Sequence, residues 1–291
     1  MAVANTITYE TLFEDMLQDR LDRPTTWKEM CDVTITDTRV ISTSYMSTTP
    51  SLQTVTRGTG HAMQTFAETA ETLTISTGRD LGLYVDLADL AQSDWTKPAE
   101  LFDRLGALIN EFVESDVLGQ HASWTNFGDT GGGLLGLSST AITVTASNID
   151  DIIRGVKREI RKANGQSVMK RNGVGFVWRA DDFELLEAFA QANGFAEADK
   201  ALKDGTTEGL YYLQAYHYWS NDITAGHLFA GVRKCQRLGI LRGTYGLAKT
   251  IPFPAADSNT FFSGNAYYSR IDIGHLTPTA LKPVIFDINV V

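Results

Sequence analysis

What this chain has least of narrows its chemistry first. It holds two cysteines, Cys31 and Cys235, far apart and in no metal or redox spacing, so they read as two buried or idle thiols rather than a disulfide. No apolar run approaches the ~18 residues a membrane span needs. The start, MAVANTITYETLFEDML, has no basic segment followed by an apolar stretch, so the product is expected to stay in the cytosol, away from membranes. The five histidines, His61, His121, His217, His227 and His275, are scattered, with no H-E-x-x-H or comparable spacing, and neither G-x-S-x-G nor a Cys/His pairing occurs. This lowers an enzymatic reading, and no catalytic residue, cofactor site or metal-ligand set is assigned. Lysine is absent between Lys28 and Lys97.

What is present is a globular composition. The 291 residues are 43% hydrophobic, enough for one large domain or two modest ones with a real core. The net charge of −10 is split unevenly. Residues 1–150 carry 8 Lys+Arg against 21 Asp+Glu, whereas residues 151–291 carry 17 against 14. Such asymmetry suits attraction between the acidic half of one subunit and the basic half of another, or neutralisation within one fold.

The longest candidate helix spans residues 97–118, KPAELFDRLGALINEFVESDVL. Leu101, Leu105, Leu108 and Phe112, with Phe102, Ile109, Val113 and Val117, form a broad apolar stripe. Glu100, Asp103, Arg104, Asn110, Glu111 and Glu114 fall largely on the other side. Thr96 suits the N-cap, Pro98 the first turn and Gly119 the C-terminal stop. Such a helix would run roughly 33 Å, interrupted by Gly106 at a cost of about 1 kcal/mol against Ala.

Before it, residues 11–21 read as a short amphipathic helix. Residues 40–75 are Thr-rich and poor in aliphatics, with Arg57, Gly58, Thr59 and Gly60 near the middle. Thr and Val suit strands and the glycines suit a turn, so the segment reads either as a loop or as a two-stranded arm that leans on another subunit. Residues 71–90 alternate as a hairpin, with Leu73 and Ile75, a turn at 78–80, then Leu81, Leu83, Val85 and Leu87. Asp86, Asp89 and Gln92 follow at three-residue intervals. This is weak evidence for acid–base or metal chemistry, and turn capping plus neighbour hydrogen bonding explains it better.

After the long helix, FGDTGGGLLGL at 127–137 has the glycines of a phosphate cradle but no Lys-Ser/Thr pair, and the AITVTAS that follows reads as a strand. Its glycines fit a tight backbone excursion between two parts of the fold. Residues 147–163 form a second helix, capped by Ser147 or Asn148, striped by Ile149, Ile152, Ile153, Val156 and Ile160, and stopped by Asn164-Gly165. Its outer face carries Arg154, Lys157, Arg158, Arg161 and Lys162, continued by Lys170 and Arg171. Without interleaved aromatics this patch allows only non-specific electrostatic contact with nucleic acid or an acidic neighbour. A strand at 175–178, a helix at 181–192 and a mostly β remainder follow, in which Tyr211, Tyr212, Tyr216, Tyr218 and Trp219 read as sheet packing. Helices and strands mix without regular βαβ alternation, which makes the class α+β.

Taken in order, these parts resemble the major capsid proteins of tailed bacteriophages with the Hong Kong 97-like fold. The residues that carry the resemblance are TLTISTGRDLGLYVDLADLAQSD, with Asp86, Asp89 and Gln92 in D-x-x-D-x-x-Q spacing; the long helix; GDTGGGLLGL; NIDDIIRGVKREI followed by GVGFVWRADDFELLEAF; and EGLYYLQAYHYWSND followed by LFAGVRKC. The resemblance covers nearly the whole chain. It implies an N-terminal arm at 1–39, an extended loop at 40–78 and a peripheral domain at 79–146 whose spine is helix 97–118. It also implies an axial domain at 147–270 and a C-terminal strand at 271–291 returning to the peripheral domain.

The resemblance further implies a coat protein assembled in the host cytoplasm into the virion capsid, with the chain itself as main partner in hexamers and pentamers. Scaffolding, portal and decoration proteins are further partners of the kind, with packaged DNA held by non-specific electrostatics at most. Arg57, Gly58, Thr59, Gly60, Asp86, Asp89 and Gln92 become candidates for intersubunit contact. Gly106, Gly128, Gly131, Gly132 and Gly133 become hinge candidates for a subunit that serves two kinds of ring. Some relatives lock the shell through a lysine on the extended loop. This loop has none, so a non-covalent shell is expected, and with no room before the arm for a scaffolding segment, scaffolding would come from a separate protein or be absent. The alternatives are an encapsulin-like nanocompartment, a soluble phosphate-binding enzyme, and another virion protein such as a tail tube.

Overall fold

Residues that recur every three or four positions become helices, and alternating ones find strand partners far along the chain. The computed structural model describes residues 25–47, 51–54, 57–58, 63–65, 67–86, 98–128, 140–192, 210–242, 249–252 and 264–291. The proposed helix at 11–21 and the Thr96 cap lie outside them.

The long helix α2 (Pro98–Leu118) follows a single helical turn, α1 (Trp27–Met30), and runs on into a 3-10 turn at Gly119–Ser123 instead of stopping at Gly119. Its buried face is Ile109, Val113, Val117 and Leu118. Leu108 is 51% exposed, so the stripe is narrower than its periodicity suggests, while Glu114, expected on the outer side, is fully buried. Helix α3 (Ile149–Lys162) matches its sequence closely. All five stripe residues are fully buried, and Asn164 takes a left-handed φ of 56° as Gly165 N–H closes on the Ile160 carbonyl at 2.9 Å. Asn148 holds the N-cap position but bonds backwards, to Thr145 N–H at 2.9 Å and the Thr143 carbonyl at 2.7 Å. A short helix that the sequence reading left out, α4 (Gln166–Asn172), precedes α5 (Ala180–Ala192).

The strands form three sheets. In the first, β1 (Cys31–Thr36) pairs parallel with β10 (Gln236–Leu241). The long β12 (Gly264–Leu276) holds β4 (Thr77–Asp86) along one edge and β10 with β11 (Lys249–Pro252) along the other. Helix α2 packs on this sheet through Trp27, Cys31, Ile109, Val113, Val117, Leu238, Ile240, Ile271 and Ile273. In the second, β5 (Thr125–Phe127), β13 (Ile285–Asn289), β9 (His227–Val232), β6 (Val174–Trp178), β8 (Ala215–Trp219) and β7 (Leu210–Tyr212) lie in that spatial order. The stripe of α3 and the inner face of α5 cover it and make the larger core. The third is a two-stranded antiparallel ladder of β2 (Val40–Met46) and β3 (Glu68–Thr74).

Two strand expectations change. Leu73 and Ile75 do not turn back onto Leu81 and Leu83. Residues 78–80 lie inside β4, which pairs with β12, while β3 pairs with β2. The alternation there continues across two sheets, and periodicity carries no partner. The AITVTAS segment makes only a single bridge, from Ile142 to Val290.

Candidate assembly surface

The β2–β3 ladder extends past its strand ends where Ser47 N–H donates to the Ala67 carbonyl at 2.9 Å, and Gln64 Oε1 accepts from Ser51 N–H at 3.0 Å. Backbone pairing holds this arm, because its side chains enclose almost nothing. Val40 and Met46 are more than half exposed, and Leu52 and Met63 are fully exposed. Large apolar side chains presented on a thin two-stranded ribbon form a surface that gains free energy only when something covers it. Single apolar residues in a Thr-rich stretch give no periodic signal, so the sequence does not single out Met46, Leu52 or Met63.

At the root, burial begins with Leu73 and Ile75. Paired Gly239 and Gly274, facing each other across β10 and β12, leave a flat strip for them. A Cβ at Gly239 would sit 2.6 Å from Leu73 Cδ2, and one at Gly274 would overlap the Thr74 carbonyl oxygen. Glu71 Oε1 accepts from Thr279 N–H at 2.8 Å, and Ile75 N–H donates to the Arg39 carbonyl at 2.8 Å. The arm is therefore anchored at one end and free at the other.

The proposed contact residues fall on separate elements. Arg57 and Gly58 form an exposed turn towards the arm's tip, with Gly58 at φ 92° and open space around it. Asp86 closes β4, where its backbone pairs with Gly264 of β12. Thr59, Gly60, Asp89 and Gln92 lie outside the described residues. Of the hinge candidates, Gly106 sits in continuous helix with nothing within 4 Å of an added Cβ, so no close-packed backbone accounts for its lack of side chain. Gly128 is a tight crossing: φ is 82°, and a Cβ would come 2.9 Å from the Asn289 carbonyl oxygen. Gly131, Gly132 and Gly133 lie outside the described residues.

Glu114 couples the N-terminal segment to the long helix. Its carboxylate accepts from Thr26 N–H and Trp27 N–H, both at 2.8 Å, and from Thr26 Oγ1 at 2.6 Å. Burial pushes its pKa up, while the bonds from Thr26, Trp27 and Ser220 pull against that shift. Between the same helix and the sheet, His275 Nε2 of β12 meets the Asp116 carboxylate, and Arg79 of β4 lies 5.5 Å from the Phe112 ring centre.

The basic face of α3 is partly compensated where it stands. Arg154 pairs with Asp150 at 2.9 Å and Asp151 at 2.7 Å, and Lys162 with Glu159 at 2.7 Å. Lys157 is held below the usual lysine range by burial and by Arg161. Tyr211 and Tyr216 pack on the sheet as cross-strand partners but on its outer side, not in a core. Both are exposed, 4.9 Å apart between ring centres, with the Arg233 guanidinium 4.2 Å from the Tyr216 ring.

The histidines are less scattered than their numbering suggests. His121 and His227 meet at Asp287, and the three donor atoms lie within 4.8 Å of one another. His217 is buried between Trp178 and Tyr212. Its Nδ1 accepts from Trp178 Nε1–H at 3.1 Å and its Nε2 faces the Tyr212 carbonyl at 3.2 Å, so the neutral ring donates from Nε2. Burial lowers its pKa to about 4. Cys31 and Cys235 are buried free thiols, and burial pushes the Cys235 thiol up to about 12. No helix among the described residues is long and apolar enough to cross a membrane.

No protein-family model matches the chain, and no curated protein matches it. Solved structures do. One from Mycobacterium phage Che8 aligns with a TM-score of 0.65 at 17% identity, over 98% of this chain and 98% of its own. The capsid of Ralstonia phage GP4 gives 0.64 at 8% identity, over 100% of this chain and 98% of its own. The capsid of an empty GTA particle gives 0.66 at 12% identity, over 99% and 97%. The chain has the Hong Kong 97-like capsid fold. The likeness is one of fold, at identities of 8 to 17%.

Proposed function

We propose that the chain is the major capsid protein of a tailed bacteriophage, a structural subunit that associates with itself into the icosahedral head around the genome. The observation that carries the reading is end-to-end likeness of fold to phage capsid structures, with nothing large left over on either side. The anchored arm with its bare apolar residues fits that role, since a second subunit is the cover it lacks.

In this reading residues 1–39 are the N-terminal arm and 40–78 the extended loop that reaches across a neighbour. Residues 79–146 form the peripheral domain around its spine helix, 147–270 the axial domain at the ring centre, and 271–291 the returning strand. Arg57, Gly58, Thr59, Gly60, Asp86, Asp89 and Gln92 contribute to contacts between subunits. Gly106, Gly128, Gly131, Gly132 and Gly133 supply the adjustment between pentameric and hexameric rings. The shell is non-covalent because no lysine stands on the loop. Assembly takes place in the host cytoplasm, and scaffolding, portal and decoration proteins are the further partners such a shell can take. Packaged DNA meets the shell through non-specific electrostatics only.

Negative-stain electron microscopy of the purified chain tests this directly, with closed shells as the expected result. Rods, or a small fixed oligomer stabilised by nucleotides, would overturn it, and shells that co-purify with an enzyme cargo would favour a nanocompartment. Deleting residues 50–60 should leave a folded, soluble subunit that makes no shells. Normal shells from that deletion would remove the arm from the assembly contact.

A further inference from the structure

We propose that His121, His227 and Asp287 form a binding site for a divalent transition-metal ion, zinc before others, that fastens the end of the long helix to the six-stranded sheet. His121 belongs to the 3-10 turn after α2, His227 opens β9 and Asp287 is the central residue of β13. These elements are adjacent only because β13 lies between β5 and β9. The donors come from three separate stretches of chain, which is why no sequence spacing reveals them.

The geometry is that of a ligand set. His121 Nδ1 lies 3.2 Å from Asp287 Oδ2, and His227 Nδ1 lies 2.9 Å from Oδ1 and 3.1 Å from Oδ2. A tetrahedral zinc with ligands about 2.0–2.2 Å away holds its donor atoms about 3.3–3.6 Å apart, so each histidine–aspartate pair opens by a few tenths of an ångström, and the three donors, which lie within 4.8 Å of one another, draw together around the ion. Two imidazoles and one carboxylate leave a fourth position for water.

Charge supports the same conclusion. The Asp287 side chain is 4% exposed, and among the described residues no lysine or arginine pairs with it. Its neighbours are the two histidines and Asn126 Nδ2, which donates to Oδ2 at 3.3 Å. A buried carboxylate without a fixed cation is costly, and a metal ion supplies the missing charge while leaving both imidazoles neutral.

The outer contacts are arranged to match. Thr224 Oγ1 lies 3.2 Å from His121 Nε2, where it can accept the Nε2 proton and leave Nδ1 free as a ligand. Asn126 bridges Asp287 to Asn289 Oδ1 at 3.1 Å, and its own Oδ1 is buried without a partner among the described residues.

The experiment uses the full-length chain, stripped with chelator and titrated with Zn²⁺ by calorimetry and with Co²⁺ by visible absorption. Expected are one ion per subunit, micromolar affinity or better, and visible bands of tetrahedral cobalt. The unfolding midpoint should rise by about 5 °C at zinc a hundredfold above Kd. His121→Gln, at a one-fifth exposed ring, should weaken binding at least a hundredfold without unfolding the chain, and Asp287→Asn should abolish it. His275→Gln, outside the cluster, should bind as the unmodified chain does. Absence of saturable binding to the unmodified chain overturns the proposal, as does binding that His121→Gln leaves unchanged. Neither outcome depends on whether the subunit forms shells.

Discussion

Two buried ionisable residues give the subunit opposing pH dependences. His217 has its pKa lowered to about 4 in the fold against an ordinary 6.5, so its contribution is complete above pH 6.5 and is lost as pH falls through that interval. The linkage is worth about 3 kcal/mol. Glu114 has its pKa raised, so it destabilises the fold as pH rises from its ordinary value to its raised one, and that cost persists at neutral pH. Chemical denaturation at pH 5 and pH 7 should show His217→Gln losing markedly less stability at the lower pH than the unmodified chain loses. At pH 7 Glu114→Ala, which strands the donors of Thr26 and Trp27, should cost about 3 kcal/mol, whereas Glu114→Gln, which still accepts, should cost under about 1. Neither role was legible in the sequence. A glutamate at a helical position that reads as solvent-facing signals exposure, and only the folded chain brings Thr26 to it. The same holds for His121, His227 and Asp287, whose meeting depends on strand order.

At the scale of elements, the longer helices were legible, the short α1 and α4 were not, and neither were strand partners. The α3 stripe of Ile149, Ile152, Ile153, Val156 and Ile160 is both its own evidence and its own burial pattern, because helical hydrogen bonds are local. Residues 73–87 alternate just as plainly, yet β3 and β4 belong to different sheets, since a period of two states which faces are apolar and not which strand lies alongside. Gly274 shows what pairing adds. Gly274→Ala would push a methyl group into the Thr74 backbone, should cost about 2 kcal/mol, and should raise hydrogen exchange at the arm's root before it affects α3. Gly106→Ala is the converse. With open space around it, alanine should stabilise the subunit by about 1 kcal/mol in thermal or denaturant unfolding. If shell size and yield are also unchanged by that substitution, Gly106 is no hinge.

At the scale of the whole molecule, the reading of a shell built from many modest contacts has a direct signature. Purified shells boiled in detergent should run on a gel at the 32.0 kDa of one chain, without a ladder of cross-linked species, because the arm offers no lysine to form a covalent bond. A ladder would show covalent locking by another residue pair. Raising salt should weaken assembly if the acidic first half of one subunit meets the basic second half of another, and should leave it unchanged if the exposed Met46, Leu52 and Met63 dominate.

The order of the strands also sets a timetable. Strand β12 holds β4, β10 and β11 together, and β13 stands between β5 and β9, so neither large sheet can close until residues 264–289 have left the ribosome. The chain must wait with β1, β4 and β5 already made and their edges bare, which favours slow completion and chaperone attention during synthesis. A chain truncated before residue 264 would lack the middle of both sheets, so on the proposed reading broken products would be sorted out by folding before they reach a shell.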